Sequence, residues 1–164
     1  MFSPERKKDR LREMLAMEET VYSPGTRALY SDLGFMVLEW LIETVSGSGL
    51  DRYAKENVYD PLHLEDLFFQ PSNGEFRDAE FAATEKCPWR NRILVGEVHD
   101  ENAAASGGIQ GHSGLFGSAE NVHGLLRHLM NVCEDPFFKG LFPSELIRFF
   151  FRRKHAAERA LGFD

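Results

Sequence analysis

Tyr30 combines a titratable side chain with an unusual position in the sequence. A Pro24-Gly25 turn leads through a short extended run to Tyr30, and a long apolar-periodic helix is predicted from Ser31. Helix N-termini present unpaired N–H groups and the positive end of the dipole, which favour an anion. A phenol at that point is a candidate general base, because proton abstraction needs the phenolate. The alternative is that Tyr30 only packs against the first helical turn, and this stretch alone favours packing.

Composition limits the classes of protein that fit. The 164 residues are 43% hydrophobic, which suits one globular domain, and the net charge of −7 disfavours a nucleic-acid partner. Cys87 and Cys133 are too few for a disulfide framework or a zinc site. No apolar run is long enough to span a bilayer, and Met1 to Asp9 contain no apolar signal core. We therefore expect a cytoplasmic protein with no membrane span.

The elements that must position Tyr30 are mainly helical. The spacing of apolar residues and the capping residues predict five helices, over 4–18, 31–46, 50–57 and 143–153 and from Ser118 onward past Met130. Residues 81–84 and 93–95 predict a small β ribbon. The sequence therefore predicts a predominantly helical α+β domain. The helix after Tyr30 has a broad apolar face that predicts deep burial, formed by Leu33, Phe35, Met36, Val37, Trp40, Leu41 and Val45.

Three stretches together resemble the serine β-lactamase-like family, which includes penicillin-binding proteins and related esterases. They are Pro24-Gly25-Thr26 to Tyr30-Ser31-Asp32-Leu33-Gly34-Phe35, then Tyr59-Asp60-Pro61-Leu62-His63-Leu64, and then Val95 to Glu120 with its Gly-rich run. The stretch from Tyr59 to Leu64 is similar to the family's Pro-Leu-Gly-Met turn, with His63 in place of glycine. The resemblance covers residues 20–132, in the family's order and spacing.

This resemblance implies a fold and an activity. It implies that residues 1–164 form a single partial domain: the helical subdomain of the serine β-lactamase/DD-peptidase-like fold, with a short β ribbon and most of the central sheet missing. The implied reaction is acyl-serine hydrolysis of an amide or an ester, without a cofactor or metal. The implied substrate is a small acyl compound. A β-lactam, a peptidoglycan stem peptide and a simple ester all remain open.

The family builds its site from three motifs, which are Ser-x-x-Lys, Tyr-x-Asn or Ser-x-Asn, and Lys-Thr-Gly or His-Thr-Gly. Tyr30-Ser31-Asp32 matches the tyrosine motif, with Asp32 in the asparagine position. By resemblance, Tyr30 is the catalytic base or proton relay. Asp32 is then a polar contact to lysine or substrate.

The other two motifs are not found. No serine of the chain is followed by lysine three positions later, and Ser3 with Arg6 comes nearest. Gly111-His112-Ser113-Gly114 resembles His-x-Gly, but that motif lies on a core strand in the family, whereas a helix is predicted here from Ser118. The segment is therefore interpreted as the family's Gly-rich loop. His112 is retained as a candidate substrate-binding residue, with a structural role in the loop as the alternative. Without the lysines the phenol of Tyr30 keeps a pKa of about 10, so we expect the chain alone to be an inactive piece of a serine hydrolase.

Two other interpretations stay open. A metal site would draw on His99, Asp100, Glu101, His112, His123 and His128, but these lack a ligand spacing typical of metalloproteins, so we predict no metal. The chain is otherwise a non-catalytic helical interaction module or a remnant. An apolar surface near Phe149 to Phe151 would then promote self-association.

Overall fold

The structure is a computed structural model that describes residues 4–72, 80–152 and 160–162. Those residues form six α-helices, one π-helical turn and two antiparallel two-stranded sheets. The helices are α1 (Pro4–Met17), α2 (Asp32–Ser46), α3 (Leu50–Ala54), α4 (Glu101–Ser106), α5 (Ala119–Glu134) and α6 (Ser144–Phe151), and the π-helical turn, Lys55–Tyr59, directly follows α3. The strands are β1 (Phe68–Phe69), β2 (Ala83–Cys87), β3 (Arg92–Val95) and β4 (Leu115–Phe116). The predicted helix-rich α+β class is confirmed.

Capping side chains fix where the two longest helices begin. The Ser31 hydroxyl accepts from the Leu33 N–H at 3.3 Å at the start of α2, which ends at Gly47 with φ 69°. The Ser118 hydroxyl accepts from the Asn121 N–H at 3.2 Å at the start of α5. These are the starts that the sequence predicts, because serine satisfies an N–H group that has no partner within the helix.

The predicted deep burial of α2 is wrong among the described residues. Met36 and Glu39 are its buried side chains, whereas five apolar side chains are 42–79% exposed: Leu33, Val37, Leu38, Leu41 and Val45. The prediction assumed that every apolar side chain of α2 packs against another element. An apolar face is buried only where other elements cover it, and the described residues cover one side of α2.

Charged side chains hold α1 against α2. The Lys8 ammonium lies 2.7 Å from Glu39 and 2.9 Å from Glu43, and Arg12 pairs with Glu43 as well. The Glu39 side chain is only 3% exposed, and a buried charge needs a partner inside the protein. Lys8 is that partner. This network fixes the helix that carries Tyr30 at its start.

The β structure is partly as predicted. Strands β2 and β3 form the expected ribbon, with Ala83 opposite Val95. Strands β1 and β4 were not predicted; they place Phe68 opposite Phe116, with the two rings stacked at 5.9 Å. The second pair joins the turn after the π-helical segment to the end of the Gly-rich run.

No described helix has both the length and the apolarity needed to cross a membrane. The predicted cytoplasmic location and the single partial domain stay predictions.

Candidate functional site

The phenol of Tyr30 bonds to the first residue of α2. Its hydroxyl donates to Asp32 Oδ1 at 3.0 Å, while the Tyr30 side chain is 54% exposed. Its ring also contacts that of Phe35, with 5.9 Å between centroids. Tyr30 therefore does pack on the first turn, as the simpler interpretation proposes. Its reactive oxygen nevertheless remains at the surface beside a carboxylate.

A second acid, Asp100, lies beside this corner and holds a histidine. Asp100 caps α4, with Oδ1 accepting from the Ala103 N–H at 2.7 Å, and the same oxygen lies 2.9 Å from His112 Nε2. Burial raises the pKa of Asp100, but the hydrogen bonds from Ala103 and His112 outweigh it and leave that pKa below its usual value. Asp100 is therefore ionised at neutral pH.

Asp32, Asp100 and His112 meet at one point. One side-chain ligand atom from each lies within 4.8 Å of the other two. The His112 side chain is 2% exposed, and its Nδ1 is buried with no hydrogen-bond partner in the described part of the chain. The predicted site residues Tyr30, Asp32 and His112 thus lie together, and Asp100 joins them.

The Gly-rich run brings His112 to this corner. Gly108 and Gly114 have φ of 96° and 106°, and a side chain on Gly114 would overlap the carbonyl oxygen of Gly108. Residues 107–114 therefore fold back in a tight loop that only glycine allows at these points. Residues 111–114 belong to this loop and precede β4, which agrees with their interpretation as a loop.

Sequence reasoning missed the role of Asp100, although a signal was present. Asp100 followed by an alanine-rich run and Gly107 is the pattern of a capped short helix. Several glycines follow directly after Ser106, so residues 101–106 resemble the start of the Gly-rich loop. For this reason α4 is not among the predicted helices.

The remaining candidate metal ligands are scattered over the described surface. His99 lies 2.9 Å from Glu85, and His128 Nε2 accepts from the Leu141 N–H. Of the six residues considered from the sequence, Asp100 and His112 are the two that meet in the described structure, and their third neighbour is Asp32.

Comparison with known proteins shows the family of the chain. The family model described as Beta-lactamase matches residues 1–159. The chain is 37% identical over 131 residues to a protein of Escherichia coli K12 named "Putative D-alanyl-D-alanine carboxypeptidase". This alignment covers 73% of the present chain and 30% of that protein. It is also 36% identical over 142 residues to the N-acetylmuramyl-L-alanine amidase of Bacillus subtilis 168. That alignment covers 79% of this chain and 32% of the amidase.

A solved structure shows the same fold. The D-stereospecific amidohydrolase from Streptomyces superposes with a TM-score of 0.63 at 15% identity, over 96% of this chain and 42% of that one. The chain thus spans about a third of the length of the curated relatives that it matches. The match to the family model over nearly all its residues shows that the chain belongs to the beta-lactamase family.

Proposed function

We propose that this chain supplies the tyrosine motif of an acyl-serine hydrolase, with Tyr30 as the proton relay. The observation that carries the proposal is the hydrogen bond from the Tyr30 hydroxyl to Asp32 at the N-terminus of α2. This bond fixes an exposed phenol at a helix end, in the protonated form that donates to the Asp32 carboxylate. Asp32 is the polar partner that orients the phenol, and its carboxylate suits contact with a lysine ammonium or a substrate N–H.

The chemistry requires groups that this sequence does not contain. In acyl transfer a serine attacks the carbonyl carbon, and a neighbouring base takes the hydroxyl proton. No serine here has lysine three positions later. We therefore propose that the chain by itself hydrolyses no substrate, and that catalysis needs a nucleophile motif from outside these 164 residues.

Amides are the substrate class that the relatives favour. One relative is named as a carboxypeptidase, another as an amidase, and the solved neighbour as an amidohydrolase. Each of these names describes cleavage of a C–N bond. We propose an amide substrate rather than a simple ester, and we assign His112 to the wall of its binding site, as a residue beside Asp32.

A chimera tests the proposal. The part of this chain that aligns over 142 residues with the Bacillus subtilis amidase replaces the matching segment of that protein, and hydrolysis of N-acetylmuramyl-L-alanine is measured. We expect activity in the chimera and a loss of about 10²-fold or more in kcat with Tyr30→Phe, because a positioned acid–base group contributes about that factor. Tyr53→Phe, at another exposed tyrosine, is the matched control.

Two results would contradict this assignment. One is a Tyr30→Phe chimera that keeps the rate of the parent chimera. The other is turnover of a chromogenic ester or a cephalosporin by the isolated chain that Tyr30→Phe abolishes, since that would show activity without the Ser-x-x-Lys motif.

A second candidate is an interaction module that associates with itself. The observation that favours it is the exposed apolar face of α2, from Leu33 to Val45, because faces of this kind drive association. Light scattering after size exclusion should show a dimer or larger, and Leu41→Asp should restore a monomer. A clean monomer before mutation would exclude this candidate.

A further inference from the structure

We propose that residues 135–143 form a pH-sensitive switch: this segment is docked on α5 while His128 is neutral and is released when His128 takes up a proton. The 135–143 segment connects α5 to α6. The inference goes beyond the proposed hydrolase function and does not depend on it. It rests on the direction of one hydrogen bond and on how closely the segment packs against α5.

The hydrogen bond between Leu141 and His128 defines the protonation state of the imidazole. The Leu141 backbone N–H donates to His128 Nε2 at 3.1 Å. A ring nitrogen accepts a hydrogen bond only when it carries no hydrogen, so the docked segment requires the neutral imidazole with its hydrogen on Nδ1. Protonation places an N–H group on Nε2, where the Leu141 N–H points. This bond is therefore lost when His128 becomes a cation.

The 135–143 segment packs closely around the same imidazole. Phe138 and Phe142 make T-shaped contacts with the His128 ring, at centroid distances of 5.4 and 6.3 Å. Gly140 lies so close to α5 that a Cβ atom on it would overlap the Val132 side chain and lie 3.1 Å from His128 Nε2. Val132 is only 1% exposed. The docked segment thus leaves the imidazole little room to turn, and its release uncovers Val132.

The surroundings of His128 do not compensate a positive charge. Burial lowers the pKa of this imidazole. The charged and titratable groups on the elements packed around it are Glu120, His123, Arg127, Cys133 and Glu134 on α5, Asp135 and Lys139 on the segment, and Glu145 and Arg148 on α6. None of these groups forms an ion pair with His128 in the part of the chain that the structure describes. Asp135 Oδ1 accepts from the Phe137 N–H instead, and Arg148 donates to the Cys133 carbonyl oxygen.

The pH range of the switch follows from these contacts. In the released state solvent reaches His128, whose pKa is then about 6.5, whereas burial keeps the pKa lower in the docked state. The released state therefore binds more protons below about pH 6.5. Docking is at full strength above that pH and weakens as the pH falls through the docked pKa. A single titrating group changes the released population by at most about 10-fold per pH unit.

Hydrogen exchange of the Leu141 amide in the purified 164-residue chain tests the proposal. The rates are converted to protection factors, which correct for the intrinsic effect of pH on exchange. The protection factor of Leu141 should fall between about pH 7 and pH 5, by up to about 10-fold per pH unit. In an NMR titration His128 should have a pKa below 6.5, and the Leu141 amide resonance should shift with the same midpoint.

His128→Gln separates the hydrogen bond from the titration. Glutamine offers Oε1 as an acceptor in place of Nε2 but takes up no proton. The variant should keep protection at Leu141 and lose the dependence on pH. His123→Gln, at an exposed histidine of α5, is the matched control and should respond to pH as the unmodified chain does. If His128→Gln releases the segment at every pH, the shared midpoint in the unmodified chain decides.

Three results would overturn the proposal. One is a Leu141 protection factor that stays constant from about pH 7 to pH 5, and another is a fall in that factor that persists in His128→Gln. The third is a His128 pKa at or above 6.5, because it would show that the phenyl rings stabilise the cation in the docked state.

Discussion

Gly111 lies so close to the carbonyl oxygen of Phe35 that a Cβ atom on Gly111 would overlap it. This contact joins the Gly-rich loop to the first turns of α2. It therefore sets the distance between His112, the next residue of the loop, and the corner formed by Tyr30 and Asp32.

Gly111→Ala should lower the free energy of unfolding by about 1–3 kcal/mol, the usual cost of overpacking. The matched control is Gly34→Ala, because Gly34 is in α2 and has open space where a Cβ would lie. That variant should raise stability by about 0.5–1 kcal/mol, since alanine favours helix. Urea denaturation of both variants measures the difference, and equal effects would contradict the close contact.

The helices could be predicted because their signals are local. The caps at Ser31, Gly47 and Ser118 are readable from residue type and neighbouring periodicity. Tyr30 and Asp32 could be named as site residues for the same reason, since their motif is contiguous in sequence.

The rest depends on contacts between distant residues. The pair formed by Asp100 and His112 spans twelve positions and exists because a glycine loop reverses the chain. The pairing of β1 with β4 joins strands of two residues each, too short to leave a periodic pattern. The exposure of α2 could not be foreseen, because periodicity gives the apolar face of a helix but not what covers it.

His63 stands where the Pro-Leu-Gly-Met turn of the resembled family has glycine, and the φ of His63 is +55°. A non-glycine residue in that region costs about 1 kcal/mol. His63→Gly should therefore raise the free energy of unfolding by up to about 1 kcal/mol. Asn91→Gly is the control, with φ +51°; asparagine tolerates this conformation better, so its gain should be smaller. Thermal denaturation of both variants measures this, and a destabilised His63→Gly would contradict the strain.

Lys8 is the side chain that neutralises the buried Glu39. Lys8→Met keeps the aliphatic stem but leaves Glu39 with Arg12 at 3.8 Å as its remaining cation among the described ion pairs. We expect a loss of about 2–3 kcal/mol, because breaking a buried pair leaves the charge of Glu39 compensated only by the more distant Arg12. Arg10→Met is the control, since Arg10 and Glu13 are 73% and 62% exposed. It should change stability by less than about 0.5 kcal/mol, and an equal loss in both variants would refute the burial argument.

Glu43 should make the stability of the chain fall in acid. Burial raises the pKa of its carboxyl, but hydrogen bonds from Lys8, the Leu50 N–H and Arg12 outweigh burial and leave that pKa below 4.5. A carboxyl whose folded pKa is lowered contributes stability that is present above its unfolded pKa. That stability is lost as the pH falls from about 4.5 through the folded pKa. Urea denaturation between pH 7 and pH 3 should therefore show a decline to which Glu43 contributes.

Glu43→Gln isolates that contribution, because glutamine has a similar shape but cannot ionise. The variant should be less stable than the unmodified chain at pH 7, where the charged pairs with Lys8 and Arg12 are lost. The two chains should converge toward pH 3, since the unmodified carboxyl is then being protonated as well. Glu13→Gln, in the exposed pair with Arg10, should follow the curve of the unmodified chain. A constant difference between Glu43→Gln and the unmodified chain at every pH would show that Glu43 stabilises the packing of α1 on α2 through shape rather than charge.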